Sequence, residues 1–218
     1  MTTTDQISDR LAKCYTGVVH DVMRKMGLRD FTLPPHLRPI LPDRAMAGPA
    51  FTILGRVDPT ADAHETLLAW TGLLSQCPAG HVWVNQPNDS TVAHMGELSA
   101  ETLQDKGVRG AVADGMIRDT DFLLKIGFQT WCSGFTPRDI VGWWLPAAWN
   151  VPIRIGEVDI EPGDYMVGDR DGLIRVPKDI VMDVIEASET DISTESEIRS
   201  AIRAGTDPQE AYLKYGKF

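Results

Sequence analysis

The stretch that most constrains the fold is 96–132, where helical and extended patterns alternate with only tight turns between them. Gly96 precedes a segment, 97–106, with helical character, and 108–113 reads as a buried strand. Asp114-Gly115 is a turn signal, a short helix follows from about Asp119 to Ile126, and Gly127 stops it. Residues 129–132 form the next strand. Strands separated by helices are joined by crossovers, and crossovers make neighbouring strands parallel. The middle of the chain therefore predicts an α/β fold with parallel pairing at the centre of its sheet.

The flanks extend this reading. Ser8 is a candidate N-cap, and Leu11, Cys14, Tyr15, Val18, Val19, Val22 and Met26 recur at helical spacing, with Thr16-Gly17 as a break and Gly27 as a stop. Residues 31–47 are proline-rich and irregular. Strands are expected near 50–54 and 82–85, around a helix at 65–76. From 152 to 176 the pattern changes to short strands and tight turns. The C-terminal part predicts helices at 179–188 and 195–204, closed by Gly205. A third follows, with Asp207 at N-cap, Pro208 at N1 and Glu210 at N3. No internal repeat, low-complexity tract or linker divides the 218 residues, which read as one domain.

Composition narrows the functional classes. A formal net charge of −10 gives no basic footprint for nucleic acid and little attraction to anionic membranes. Cys14, Cys77 and Cys132 are widely spaced, so neither a disulfide framework nor a zinc knuckle is indicated. The first residues lack an apolar signal-peptide core, and no run approaches the ~18 apolar residues of a membrane span. A cytoplasmic protein is the expectation.

The constellation with most chemical content lies between Gly96 and Asp119. Gly96 lets the backbone approach a ligand. The first turn of the following helix leaves unpaired N–H groups at about Glu97, Leu98 and Ser99, which suit a carboxylate. Some ~20 residues on, the chain leaves a buried strand and presents Arg118 beside Asp119, at the strand end where open α/β sheets bind ligands. Arg118 can grip a carboxylate or a developing oxyanion, and Asp119 can hold a hard divalent cation. Blander readings stand beside these. Asp119 is also a plain helix N-cap, Arg118 a surface residue paired with Asp114 or Asp121, and Gly96 a simple turn. The five histidines, His20, His36, His64, His81 and His94, show no metal-ligand spacing. Trp143, Trp144 and Trp149 suit a core or subunit interface better than a pocket. No lysine sits in a distinctly apolar run, so a Schiff-base mechanism has no sequence support.

Residues 110–119, GAVADGMIRD, resemble the signature of the RraA-like family, a strand followed by DG-x-x-RD. Gly96-Glu97-Leu98 is similar to that family's glycine–acid–leucine loop. Residues 16–27 resemble its first helix, 47–52 its GPA-x-T strand, and 161–164 with 168–177 its closing hairpin. The matches run in order over nearly the whole chain. The family includes metal-dependent 4-hydroxy-4-methyl-2-oxoglutarate/4-carboxy-4-hydroxy-2-oxoadipate aldolases and the protein regulator of ribonuclease E.

The resemblance implies a compact α/β/β-type sandwich of the swivelling-domain kind, a homotrimer or homohexamer, and sites between subunits. It implies that 178–218 is a helical extension packing on a neighbouring subunit. It further implies Asp119 as the ligand of Mg2+ or Mn2+, Arg118 on the oxo-acid end of a small-molecule 2-oxo acid, and the amides near Gly96, Glu97, Leu98 and Ser99 on its carboxylate. Glu97 would bond metal-bound waters, together with a Glu from the neighbour's C-terminal segment that matches Glu195. The expected activity is that of a lyase releasing pyruvate from a 4-hydroxy-2-oxo acid, with oxaloacetate decarboxylation on the side. The other expectation is a non-catalytic binding regulator. Regulators of this family are shorter, whereas some 40 residues follow Pro177 here. This chain departs from the family at Asp62-Ala-His64, at 82–89 and at Trp143-Trp144. Those departures bear on the substrate and leave the metal–pyruvate half intact.

Overall fold

The computed structural model describes residues 3–216. The chain opens with helices α1 (Thr4–Leu11) and α2 (Thr16–Lys25), then β1 (Arg38–Pro39), β2 (Met46–Val57), α3 (Ala63–Gln76) and β3 (Val82–Gln86). Next come α4 (Glu97–Asp105), β4 (Gly110–Ala113), β5 (Met116–Ile117), α5 (Thr120–Ile126), β6 (Thr130–Cys132) and β7 (Gly134–Phe135). Strands β8 (Trp144–Trp149), β9 (Ile153–Ile155), β10 (Val158–Ile160), β11 (Tyr165–Gly168) and β12 (Leu173–Val176) follow, and helices α6 (Val181–Arg203) and α7 (Pro208–Tyr215) end the chain.

The main sheet has the order β1-β6-β4-β3-β2-β11-β12, with β8 also paired to β2. β2, β3, β4 and β6 are mutually parallel, as the helix–strand alternation predicts; β1, β8, β11 and β12 join antiparallel. The side chains sort by the two-residue period of a strand. Phe51, Ile53, Trp83, Ala111, Ala113 and Cys132 face a core with α3, α4 and α5. Their neighbours Ala50, Val82, Val84, Val112 and Trp131 face the β9–β10 hairpin, whose Ile153, Ile155, Val158 and Ile160 close the other side. Helices α1, α2 and α6 cover the rest of the sheet over Ala47, Tyr165, Val167, Ile174 and Val176. The result is a mixed α/β sandwich: helices, a curled sheet and a hairpin layer.

Gly55 is required where β2 bulges between Leu54 and Gly55. A Cβ there would lie 2.1 Å from the indole of Trp144, a fully buried side chain with no room to move.

Several local expectations change. The N-cap of α1 is Thr3, which forms a reciprocal capping box with Gln6. Ser8 is a buried mid-helix residue whose hydroxyl donates to the Thr4 carbonyl at 2.9 Å. The helices expected at 179–188 and 195–204 are one, α6. The residues between them include no glycine or proline. The hydroxyls of Thr190, Thr194 and Ser196 turn back onto carbonyls four residues earlier, so they do not compete with the helix. The first half of α6 packs on its own chain: Val184 and Ile185 are fully buried, and Arg10–Glu189 at 2.7 Å and Lys25–Asp191 at 2.8 Å tie it to α1 and α2. α7 begins as predicted, with Asp207 accepting from the Gln209 and Glu210 amides, and buries Ala211. Among the described residues, no helix is long and apolar enough to cross a membrane.

Candidate active site

The candidate residues converge because four segments, from α3, the start of α4, the end of β5 and the loop before β8, meet around one cavity. His94 N–H donates to the Met116 carbonyl, and Arg118 N–H to that of Met95, both within 2.9 Å. These bonds clamp the segment leading into Gly96 against β5, which leads into Arg118. A Cβ on Gly96 would lie 2.8 Å from Asp119 Oδ2 and 3.2 Å from Arg118 Cγ, so a side chain here would push the Asp119 carboxylate and Arg118 back from this backbone. The conformation itself is extended and unstrained (φ −152°).

Asp119 occupies the N-cap position of α5 in the left-handed region, φ 54° and ψ 37°. Aspartate tolerates this region better than most residues. Its carboxylate makes no bond to its own helix. Oδ2 instead accepts the Glu97 N–H at 3.2 Å, at the start of the neighbouring helix α4. The plain N-cap reading is therefore half right: the position is a cap, but the side chain serves another helix. Gly96, as the N-cap of α4, has no side chain to take the Leu98 and Ser99 amides.

Arg118 Nε lies 3.4 Å from Asp119 Oδ2, and its Nη1 3.4 Å from Asp139 Oδ2. The guanidinium is thus held between two carboxylates, not paired with Asp114 or Asp121. These groups line a cavity of about 570 Å³, together with Leu67, Trp70, Ile140 and Val141. The Trp70 indole N–H donates to Ser99 Oγ at 2.9 Å, which fixes the start of α4 against α3. Sequence reasoning missed Asp139 and the apolar wall. Both come from segments far along the chain that carry no local motif.

Glu195 does not line this cavity. It sits on α6, where it accepts a hydrogen bond from the Tyr15 hydroxyl of its own chain, beside Ile198 and Arg199. Burial, then the bond to Glu195, push the Tyr15 hydroxyl up to about 12.

The donor set is spare. Among the described residues, no three or more His, Cys, Asp or Glu side chains gather as a metal cluster. Asp119, half-exposed, lines the cavity with Glu97 and with Asp139, whose carboxylate is turned to Arg118. A single hard oxygen ligand completed by waters fits an ion of the Mg2+ type, which keeps much of its hydration.

Behind the cavity, His94 is fully buried against the Trp144 ring, with Nε2 3.1 Å from Asp89 Oδ2. Burial lowers the imidazole's pKa, and Asp89 opposes that only in part. Burial alone would raise Asp89. Bonds from the Thr91 hydroxyl and amide, the Val92 amide and the Trp143 indole outweigh it and hold the carboxyl below its usual range. His94 is therefore neutral in the folded state at a pH where the unfolded chain, with a histidine pKa of ~6.5, takes up a proton. Stability from this group is complete above that pH and falls as pH drops through it, by at most ~1.4 kcal/mol per pH unit. Thermal unfolding between pH 7.5 and 5.5 should show a smaller loss of Tm for His94→Gln, which keeps a donor toward Asp89 and does not titrate. Identical losses in both proteins would contradict this.

A family model described as RraA-like, Aldolase/RraA, matches residues 7–175, which include the whole Gly96–Asp119 site. Protein DlpA of Legionella pneumophila is 24% identical over 98% of this chain, and the chain spans only 34% of DlpA. A protein of Halalkalibacterium halodurans, provisionally named a 4-hydroxy-4-methyl-2-oxoglutarate aldolase, is 26% identical over 82% of this chain and 81% of its own. The crystal structure of Streptomyces coelicolor RraAS2, described as an unusual member of the RNase ES inhibitor RraA family, superposes with a TM-score of 0.79. It is 24% identical, over 89% of this chain and 96% of that one, and shows the fold.

Proposed function

Because the chain belongs to the RraA-like (Aldolase/RraA) family, we propose that its Gly96–Asp119 cleft is the active site of a divalent-metal-dependent lyase. The substrate is a 4-hydroxy-2-oxo acid, cleaved to pyruvate and a second carbonyl compound. The observation that carries this reading is the closure of Arg118 and Asp119 over a side-chain-free Gly96, at the open amide end of α4.

In this reading the Leu98 and Ser99 amides hold the substrate carboxylate. Asp119 would hold Mg2+ or Mn2+, and Glu97 would hydrogen-bond the ion's waters. When bound, the cation supplies Lewis-acid polarisation of the 2-oxo group. Arg118, fixed by Asp119 and Asp139, presents a positive charge where the 2-oxo oxygen gains negative charge. As the C3–C4 bond breaks, the 4-hydroxyl loses its proton, directly or through water, to a base in the cleft, and Glu97, which lines the cavity, is the candidate. C4 leaves as the new carbonyl, and C3 then takes a proton to give pyruvate. The same site would decarboxylate oxaloacetate. The test is pyruvate release from a panel of 4-hydroxy-2-oxo acids and oxaloacetate; no release from any would overturn the reading. The second reading is a protein-binding regulator, supported by the RraA half of the family's description. It is favoured if the protein inhibits a ribonuclease E-type enzyme and cleaves nothing.

The proposed protein is a cytoplasmic homotrimer or homohexamer in which Glu195 acts across a subunit boundary. Two observations support this: Glu195 does not line its own chain's cavity, and α6 presents Arg199, Ile202 and Arg203 beside it. Closed rings repeat one heterologous interface, so each site would borrow one acid. Glu195→Ala and Asp119→Ala should each be nearly inactive alone and regain part of the activity when mixed and reassembled. Full activity of Glu195→Ala alone, or mixed oligomers without recovery, would refute the assignment.

A further inference from the structure

The apolar part of the cavity lining carries information on the substrate that the pyruvate half does not. Leu67 and Trp70 on α3 and Ile140 and Val141 of the loop before β8 line the same cavity. Among the described residues that line it, Arg118 is the single cation, against three carboxylates, Glu97, Asp119 and Asp139. Arg138, next to Asp139, is not part of the lining; its guanidinium lies over the Trp143 ring, 4.7 Å from the centroid. Arg118 is already shared between Asp119 and Asp139. Nothing in this wall can neutralise a second carboxylate at the far end of a substrate. A charged tail would lose hydration against these apolar side chains with no cation of the wall to offset the loss.

Building on the lyase reading, we propose that the specificity wall Leu67–Trp70–Ile140–Val141 selects 4-hydroxy-2-oxo acids whose C4 substituent is uncharged and apolar. The second product would then be an aliphatic or aromatic aldehyde or ketone, not an oxo acid. The relatives' name specifies a dicarboxylate, so this chain would differ from them in the tail and not in the pyruvyl end.

Two compounds of equal length isolate the tail: 4-hydroxy-2-oxohexanoate, which splits to pyruvate and propanal, and 4-hydroxy-2-oxohexanedioate, which splits to pyruvate and 3-oxopropanoate. The monoacid should have the higher kcat/KM by about tenfold or more, the range one pocket contact commonly decides. Binding is read separately, with 2-oxohexanoate and 2-oxohexanedioate in the presence of Mg2+, by quenching of tryptophan fluorescence, since Trp70 borders the cavity. The monoacid should again bind more tightly. Leu67→Arg places a cation on an exposed helical position, 49% accessible, that tolerates arginine well, and should shift both ratios toward the diacid. Tighter binding of the diacid by the native protein, or ratios unmoved by Leu67→Arg, would overturn the proposal. Tighter binding of the monoacid with no cleavage of either hydroxy acid would uphold the wall's preference and sink the lyase reading instead.

Discussion

Asp119→Ala is expected to reduce pyruvate release by about a thousandfold or more at saturating Mg2+, since loss of the cation's anchor removes several kcal/mol of charge stabilisation and each ~1.4 kcal/mol is tenfold in rate. Two effects must be separated. Asp119 has φ 54°, and alanine in that region costs ~1–2 kcal/mol of its own. Asp119→Asn removes the negative charge but keeps a short polar side chain that suits the left-handed region. It can still accept the Glu97 amide bond that now goes to Oδ2. The Asn variant should therefore unfold near the native temperature and still lose most activity. Normal turnover in either variant would return Asp119 to the role of a turn residue that caps α4.

Arg118→Lys is the second large effect, a loss on the order of ten- to a thousandfold in kcat/KM. Arg118 spans two carboxylates from separate nitrogens, Nε toward Asp119 and Nη1 toward Asp139. A lysine ammonium is a point charge and cannot hold both contacts while also facing a substrate oxygen. The charge is conserved and its placement is not. The loss should appear mainly in kcat if Arg118 meets the 2-oxo oxygen as charge develops, and mainly in KM if it only grips the ground-state acid. Near-normal kinetics for Arg118→Ala would place this residue outside the site.

What the sequence made legible follows from where its information is local. The parallel centre of the sheet was readable because β3, β4 and β6 are short apolar runs between helices bounded by Gly107, Gly127 and similar stops. β8 was not, because it holds Pro146, which argues against a strand, and two tryptophans that read as core or subunit interface without marking an element. Trp144 proves to be core, donating its indole N–H to the Pro87 carbonyl at 2.8 Å, while Trp149 stays 45% exposed. The union of two predicted helices into α6 was hidden by a run of Ser and Thr whose hydroxyls, in context, bond within the helix. In the site, the Gly96–Asp119 spacing was legible because both halves lie on consecutive elements. Asp139, Leu67, Ile140 and Val141 reach the cavity through tertiary packing alone, and no pattern around them announces it. The left-handed turn at Asp119 was likewise invisible, since an aspartate before a helix reads first as its cap.

The most direct test of the central claim is pyruvate release by the native protein before and after chelation. A single carboxylate with waters exchanges its ion readily. EDTA followed by desalting should abolish cleavage of 4-hydroxy-2-oxo acids, and added Mg2+ or Mn2+ should restore it, in the native protein and not in Asp119→Asn. Full activity in the metal-free native protein would contradict the account.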